Sequence, residues 1–154
     1  MSTNIGMIRV ETKLKEMFLG QLDISNVDNT TSDNKQFETR SLAAIALMMK
    51  SGIDVSSSCL HITDGYHDMG IDAIYLDETQ KKLFIVQSKW RSSGQGSVTQ
   101  EEMHSFVEGI KRIINFDIEG ANPKIQAKKW TLNLLLKQFG IRFMHCLFTQ
   151  VILK

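Results

Sequence analysis

The sequence predicts an α/β fold, a central mixed sheet flanked by helices, in the order α, α, β, β, β, α, α, β. Three observations carry that reading. Apolar residues recur at helical spacing over Met7–Leu22 and again over Met103–Ile114. Between these stretches, Gly70-Ile71-Asp72-Ala73-Ile74-Tyr75 and Leu83-Phe84-Ile85-Val86-Gln87-Ser88-Lys89 read as adjacent strands joined by a short polar turn. The second is continuously apolar from Leu83 to Val86, which suits a central strand covered on both faces.

The first helix carries apolar residues at positions 7, 10, 14, 17, 18 and 22. Ser25–Asn34 is rich in Asn, Asp, Ser and Thr and reads as a loop. A second helix is expected from about Lys35 to Lys50, stopping at Gly52, a usual residue just past a helix end. Its line Glu38, Leu42, Ile45, Met49 places one carboxylate on an otherwise apolar stripe. Cys59–Thr63 is expected to be the first strand, and Asp64-Gly65 a turn. After the hairpin, Ser92–Ser97 is a flexible connection with two glycines. Thr99-Gln100-Glu101-Glu102 is a capping box that opens the next helix, which carries Met103, Phe106, Val107, Ile110, Ile113 and Ile114. Gly120–Pro123 breaks the chain. A helix over Lys124–Phe139, ended by Gly140, and a strand over Ile141–Leu153 complete the order.

At 154 residues the chain is expected to form a single domain, 1–34 supplying a helix and loop and 35–154 the core. Its 42% hydrophobic and 23% charged content is that of an ordinary globular protein. A net charge of +1 excludes nucleic-acid binding driven by a whole-molecule field. Any such contact must use local patches: Lys81-Lys82, Lys89–Arg91, Lys111-Arg112 or Lys124–Lys129. Two cysteines make no disulfide framework. The start lacks a signal-peptide pattern and no apolar run reaches membrane-spanning length, so a cytoplasmic protein without a membrane partner is expected. The eight methionines read as core filling.

The hairpin register carries the chemistry. If Leu76 faces Leu83, the same pairing sets Asp72 opposite Gln87, with Cβ atoms roughly 5 Å apart. Lys89 follows on that face, roughly 7 Å further along the strand. A carboxylate, an amide oxygen and an ammonium then converge, the layout of a metal-dependent phosphodiesterase site. Asp68 could join them, bonded to a metal ligand or holding a second metal, or simply form the turn beside Met69-Gly70; Asp64 reads as a turn residue. His67 stays unassigned. Cys59-Leu60-His61 and His145-Cys146 have the wrong spacing for a zinc finger. Trp90 reads as packing, and Lys124–Lys129 as a solvated helix face.

These residues resemble the PD-(D/E)XK nuclease superfamily, whose core is a helix, three strands, a helix and a strand. The form written here is Asp72, fourteen residues, then Gln87-Ser88-Lys89, with Gln where many members have Glu. Asp68-Met69-Gly70-Ile71-Asp72-Ala73-Ile74 with Val86-Gln87-Ser88-Lys89-Trp90 is similar to Mrr-type endonucleases. It is more similar to the nuclease domain that begins abortive-phage-infection (AIPR) proteins, where a turn matching Thr63-Asp64-Gly65 tends to precede the Gly-Ile-Asp strand. The resemblance spans about Phe37–Ile114; from Asn115 onward only the order of elements supports it.

The resemblance implies a restriction-endonuclease-like αβββαβ core with an extra N-terminal helix. It implies Mg2+, with Mn2+ as a substitute, held by Asp72, the Gln87 amide oxygen and the Ser88 carbonyl, with Lys89 beside the reacting water and phosphate. The family often brings an acidic residue from the first core helix, so Glu38 is the candidate to replace the charge that Gln87 lacks; a first-turn carboxylate favoured by the helix dipole is the other reading. The implied activity is DNA hydrolysis in bacterial phage defence, with a homodimer as an expected assembly. A longer parent protein with a C-terminal domain is also implied. Two rivals stand beside it: the same fold with a weak or idle site that binds nucleic acid or a protein, and an RNA-cleaving toxin.

Overall fold

One central strand sorts the apolar residues into two cores. The computed structural model describes residues 5–25 and 35–134, and the backbone of 143–150. Among these, a three-stranded sheet is formed by β1 (Ala73–Asp77), β2 (Lys82–Lys89) and β3 (Phe143–Gln150), in that order, with β2 in the middle. Because side chains alternate along a strand, Leu83 and Ile85 enter one core and Phe84 and Val86 the other. The first core packs against α4 (Gln100–Ile114), α5 (Pro123–Gln126) and α6 (Lys129–Asn133). The second packs against α1 (Ile5–Phe18) and α2 (Gln36–Ser51). The sheet is mixed, as expected: β1 and β2 are antiparallel, β2 and β3 parallel.

Leu76 pairs with Leu83 and Ala73 with Val86, the register read from the sequence. The paired register stops there: the Asp72 N–H donates to the Val86 carbonyl at 2.8 Å, one position short of Gln87, so the expected direct opposition of Asp72 and Gln87 is not formed. α2 ends at Gly52 in the left-handed region (φ 80°), its N–H returning to the Met48 carbonyl. The capping box of α4 is present in both directions between Thr99 and Glu102.

Three expectations are corrected. Cys59–Thr63 is not a strand. Asp54 accepts from the Ser57 N–H at 2.9 Å and starts a short helix, α3 (Val55–Cys59), so the chain reaches the sheet only as an isolated bridge from Ile62 to Ala73. The helix expected over Lys124–Phe139 is broken into α5 and α6. The Lys128 N–H bonds the Ile125 carbonyl three residues back, at 3.0 Å, which interrupts the four-residue ladder; positions 135–142 lie outside the described residues. α1 ends at Phe18 rather than Leu22, because Gly20 turns left-handed (φ 79°), yet Leu22 still packs in the core. Most of the expected Ser25–Asn34 loop lies outside the described residues, as do both ends of the expected Ile141–Leu153 strand.

Candidate metal centre

The segment from Thr63 to Asp72 carries three aspartates spaced four apart, and its geometry is held from several sides. Asp68 folds it locally: its Oδ2 accepts from the Gly65 N–H at 3.2 Å and its Oδ1 from the Gly70 N–H at 2.8 Å. His67 and Met69 both sit at φ 60°, a conformation non-glycine residues adopt at a cost. Asn122 clamps the segment from across the chain. Its N–H donates to the His67 carbonyl at 3.0 Å and its Nδ2 to the Thr63 carbonyl at 2.7 Å.

α2 supplies the strongest restraint. Arg40, fully buried, donates from Nε to Asp64 Oδ2 at 2.6 Å and from Nη2 to the Asp64 carbonyl at 3.3 Å. Its Nη1 bonds the Asp23 carbonyl, which ties the end of the α1 segment to the same point. α4 closes the other side. The backbone of Gly109 lies so near the Met69 carbonyl that a Cβ there would collide with it.

The result is a cleft of about 460 Å³ beside the end of β2, whose lining includes Asp64, Asp68, Asp72, Gln87, Ser88 and Lys89. One oxygen from each of the three aspartates lies within 4.8 Å of the others, of the order of twice a metal–oxygen bond. Burial, with the charge of Asp64 as a lesser cause, pushes the Asp72 carboxyl up to about 7. Hydrogen bonds from Ser88 oppose that rise: its N–H lies 2.6 Å and its Oγ 2.9 Å from Asp72 Oδ2. Burial also raises Asp68. A divalent cation bound here would compete with the proton that burial favours on Asp72. Gln87 Oε1 is buried and has no hydrogen-bond partner among the described residues, and an orphaned buried acceptor of this kind asks for an unseen donor or ion. Hard carboxylate and amide oxygens fit Mg2+, and equally Mn2+.

Of the residues singled out by sequence, Asp72, Gln87, Ser88 and Lys89 line the one cleft, together with Asp68. Asp68 forms the turn, accepting from the Gly70 N–H, and its carboxylate also lies in the acidic group. Lys89 is half exposed, its Nζ 3.6 Å from Glu102 Oε1. Glu38 departs from expectation. It is buried but absent from the lining, and its neighbour is the Lys35 ammonium, 3.8 Å away, which also pairs with Glu11 at 3.5 Å. Glu38 thus joins α1 to α2 through a shared cation.

Sequence reasoning missed Asp64, read as a turn residue, and with it Arg40, Asn122 and Gly109. Only the Asp-x3-Asp-x3-Asp spacing signals Asp64 in the sequence. Trp90 packs in the core, as read, although it also edges the cleft. Lys128 is not the fully solvated lysine expected: it is partly buried, and its Nζ lies 3.1 Å from His61 Nδ1. Among the described residues, the acidic group is the one convergence of three or more His, Cys, Asp or Glu side chains.

No protein-family model, curated protein or solved structure matches the chain. Among the described residues, no helix is long and apolar enough to cross a membrane.

Proposed function

We propose that this chain is a divalent-metal-dependent nuclease of the restriction-endonuclease-like fold, hydrolysing phosphodiester bonds in DNA, with bacterial defence against phage as its setting. A homodimer and a further C-terminal domain belong to the same proposal. The observation that carries the reading is the convergence of Asp72, Gln87 and Lys89 with Asp64 and Asp68 on one cleft at the end of a central strand.

Asp72 and Asp68 would be the anchoring carboxylates, and the unpartnered Gln87 Oε1 would add a neutral oxygen. Asp64 would bring a second loop carboxylate, with one of its oxygens already held by Arg40. The charge absent at position 87 would then come from the 64–68 loop rather than from Glu38, which pairs with Lys35. When bound, the ion would polarise a phosphate oxygen and lower the pKa of its water. Lys89, at the mouth of the cleft, is placed to meet the negative charge that builds on the phosphate as the bond breaks. Its pairing with Glu102 is long, at 3.6 Å, and Arg91 also holds that carboxylate, so Lys89 would be free to make that contact.

One observation favours the rival of a non-cutting module. Asp72 Oδ2 is engaged by Ser88, and its carboxyl is half protonated near neutral pH. Incubating plasmid DNA and a structured RNA with purified protein in Mg2+, Mn2+ or EDTA separates the readings. Metal-dependent cutting, lost in Lys89→Ala and Asp72→Ala while circular dichroism is unchanged, is the expected result. Full activity in Lys89→Ala would sink the assignment, and preference for RNA would select the toxin reading.

A further inference from the structure

We propose that Tyr66, backed by His67, is a stacking platform for an unpaired nucleobase, so that the cleft receives single-stranded or frayed nucleic acid. The proposal rests on the nuclease reading of the same cleft. The fold itself gains little from Tyr66: the residue is 85% exposed. It is nevertheless not loose. It packs edge-on against His67, ring centroids 4.0 Å apart and planes inclined at 61°. The backbone beneath is pinned by the Asp68 carboxylate on Gly65 and Gly70 and by the Asn122 N–H on the His67 carbonyl.

Position makes the ring informative. Tyr66 stands two residues from Asp64 and two from Asp68, so chain length alone keeps its Cα within about 7 Å of either Cα. Tyr66 stands outside the cleft lining, so a strand whose phosphate sits at the acidic group would meet the ring with its neighbouring base turned outward from the cleft. A base inside a duplex has both faces covered by its neighbours, whereas an unpaired base presents a free π-face. Lys35 and Lys89, which line the cleft, can meet the backbone phosphates without reading sequence. Stacking is tolerant of base identity, so little sequence preference is expected.

Fluorescence anisotropy tests this with a short labelled oligothymidylate, its ribo counterpart and a blunt duplex, in Ca2+ to hold back cleavage. Tyr66→Ala should weaken binding of single strands about tenfold, with Tyr66→Phe close to wild type and duplex affinity unchanged. The two single strands show whether the platform favours DNA or RNA. Equal single-strand affinity in Tyr66→Ala and wild type overturns the proposal, as does an equal loss on the duplex or a wild-type protein that binds neither single strand. Plasmid and oligonucleotide cleavage in Mg2+ is scored separately. Tyr66-dependent binding without any metal-dependent cutting upholds the platform and refutes the hydrolytic reading; cutting with no Tyr66 dependence does the reverse.

Discussion

Arg40 and Asp64, 24 residues apart in the chain, form a buried ion pair of 2.6 Å that anchors the acidic loop to α2. A guanidinium with no exposed surface is stable only with its partners in place, and here they are the Asp64 carboxylate, the Asp64 carbonyl and the Asp23 carbonyl. Removing either side chain leaves the other's charge buried and uncompensated. Arg40→Ala should lower the unfolding free energy by about 3–5 kcal/mol. Urea melts of the variant and wild type check this, and coincident midpoints would refute it.

Metal affinity should separate the loop carboxylates from the helix carboxylate. Asp68→Asn should weaken Mn2+ binding by about 10–100-fold, since it removes a carboxylate from the acidic group. Glu38→Gln should leave the Mn2+ affinity near that of wild type, because its carboxylate faces Lys35. Isothermal titration on both variants decides the matter. A large loss in Glu38→Gln alone would restore the helix carboxylate as the compensating ligand.

The raised Asp72 carboxyl sets a pH dependence with a definite sign. Its folded value, about 7, lies above the ordinary 3.8, so between these the folded state holds more protons than the unfolded state. Metal-free protein should therefore lose stability as pH rises from about 4 to about 7, and Asp72→Asn should flatten that slope. Divalent-metal affinity should run the opposite way. It should fall about tenfold per unit as pH drops below about 7, because the ion must displace the proton. Chemical unfolding and metal titration across this range test both limbs. A metal-free stability that rises over the same interval in wild type, and equally in Asp72→Asn, would assign the titration elsewhere.

Gly109 should resist an exchange that helix propensity favours. Ala gains up to about 1 kcal/mol over Gly in a helix interior. At this site, however, the new methyl would strike the Met69 carbonyl and press on Ile71 Cδ1 at 3.1 Å. Overpacking against backbone costs about 1–3 kcal/mol. Gly109→Ala should therefore be less stable than wild type by differential scanning calorimetry, with weaker Mn2+ binding as the Met69–Asp72 segment shifts. A higher melting temperature would show that the loop yields freely.

Local rules made a good part of this protein legible. Leu76 and Leu83 flank a short polar turn, so the β1–β2 register from Ala73 to Asp77 followed from alternation alone. Thr99 and Glu102 cap α4 because both partners lie within one helical turn. Cys59–Thr63 misled because its apolar character suits a strand, while the Asp54 cap just upstream satisfies helix N–H groups first. Glu38 pointed inward as its stripe required, but inward proved to mean toward Lys35 and α1. By itself the sequence determined the ends of α2 and α4 and the central strand, since each depends on residues a few positions apart. The tertiary structure decided that Asp64 joins the cleft, through Arg40 on α2, Asn122 beyond α4 and the bare backbone of Gly109. Those contacts span 24 to 59 residues in the case of the two hydrogen bonds, and no local spacing encodes them; they exist only once both cores have closed on β2.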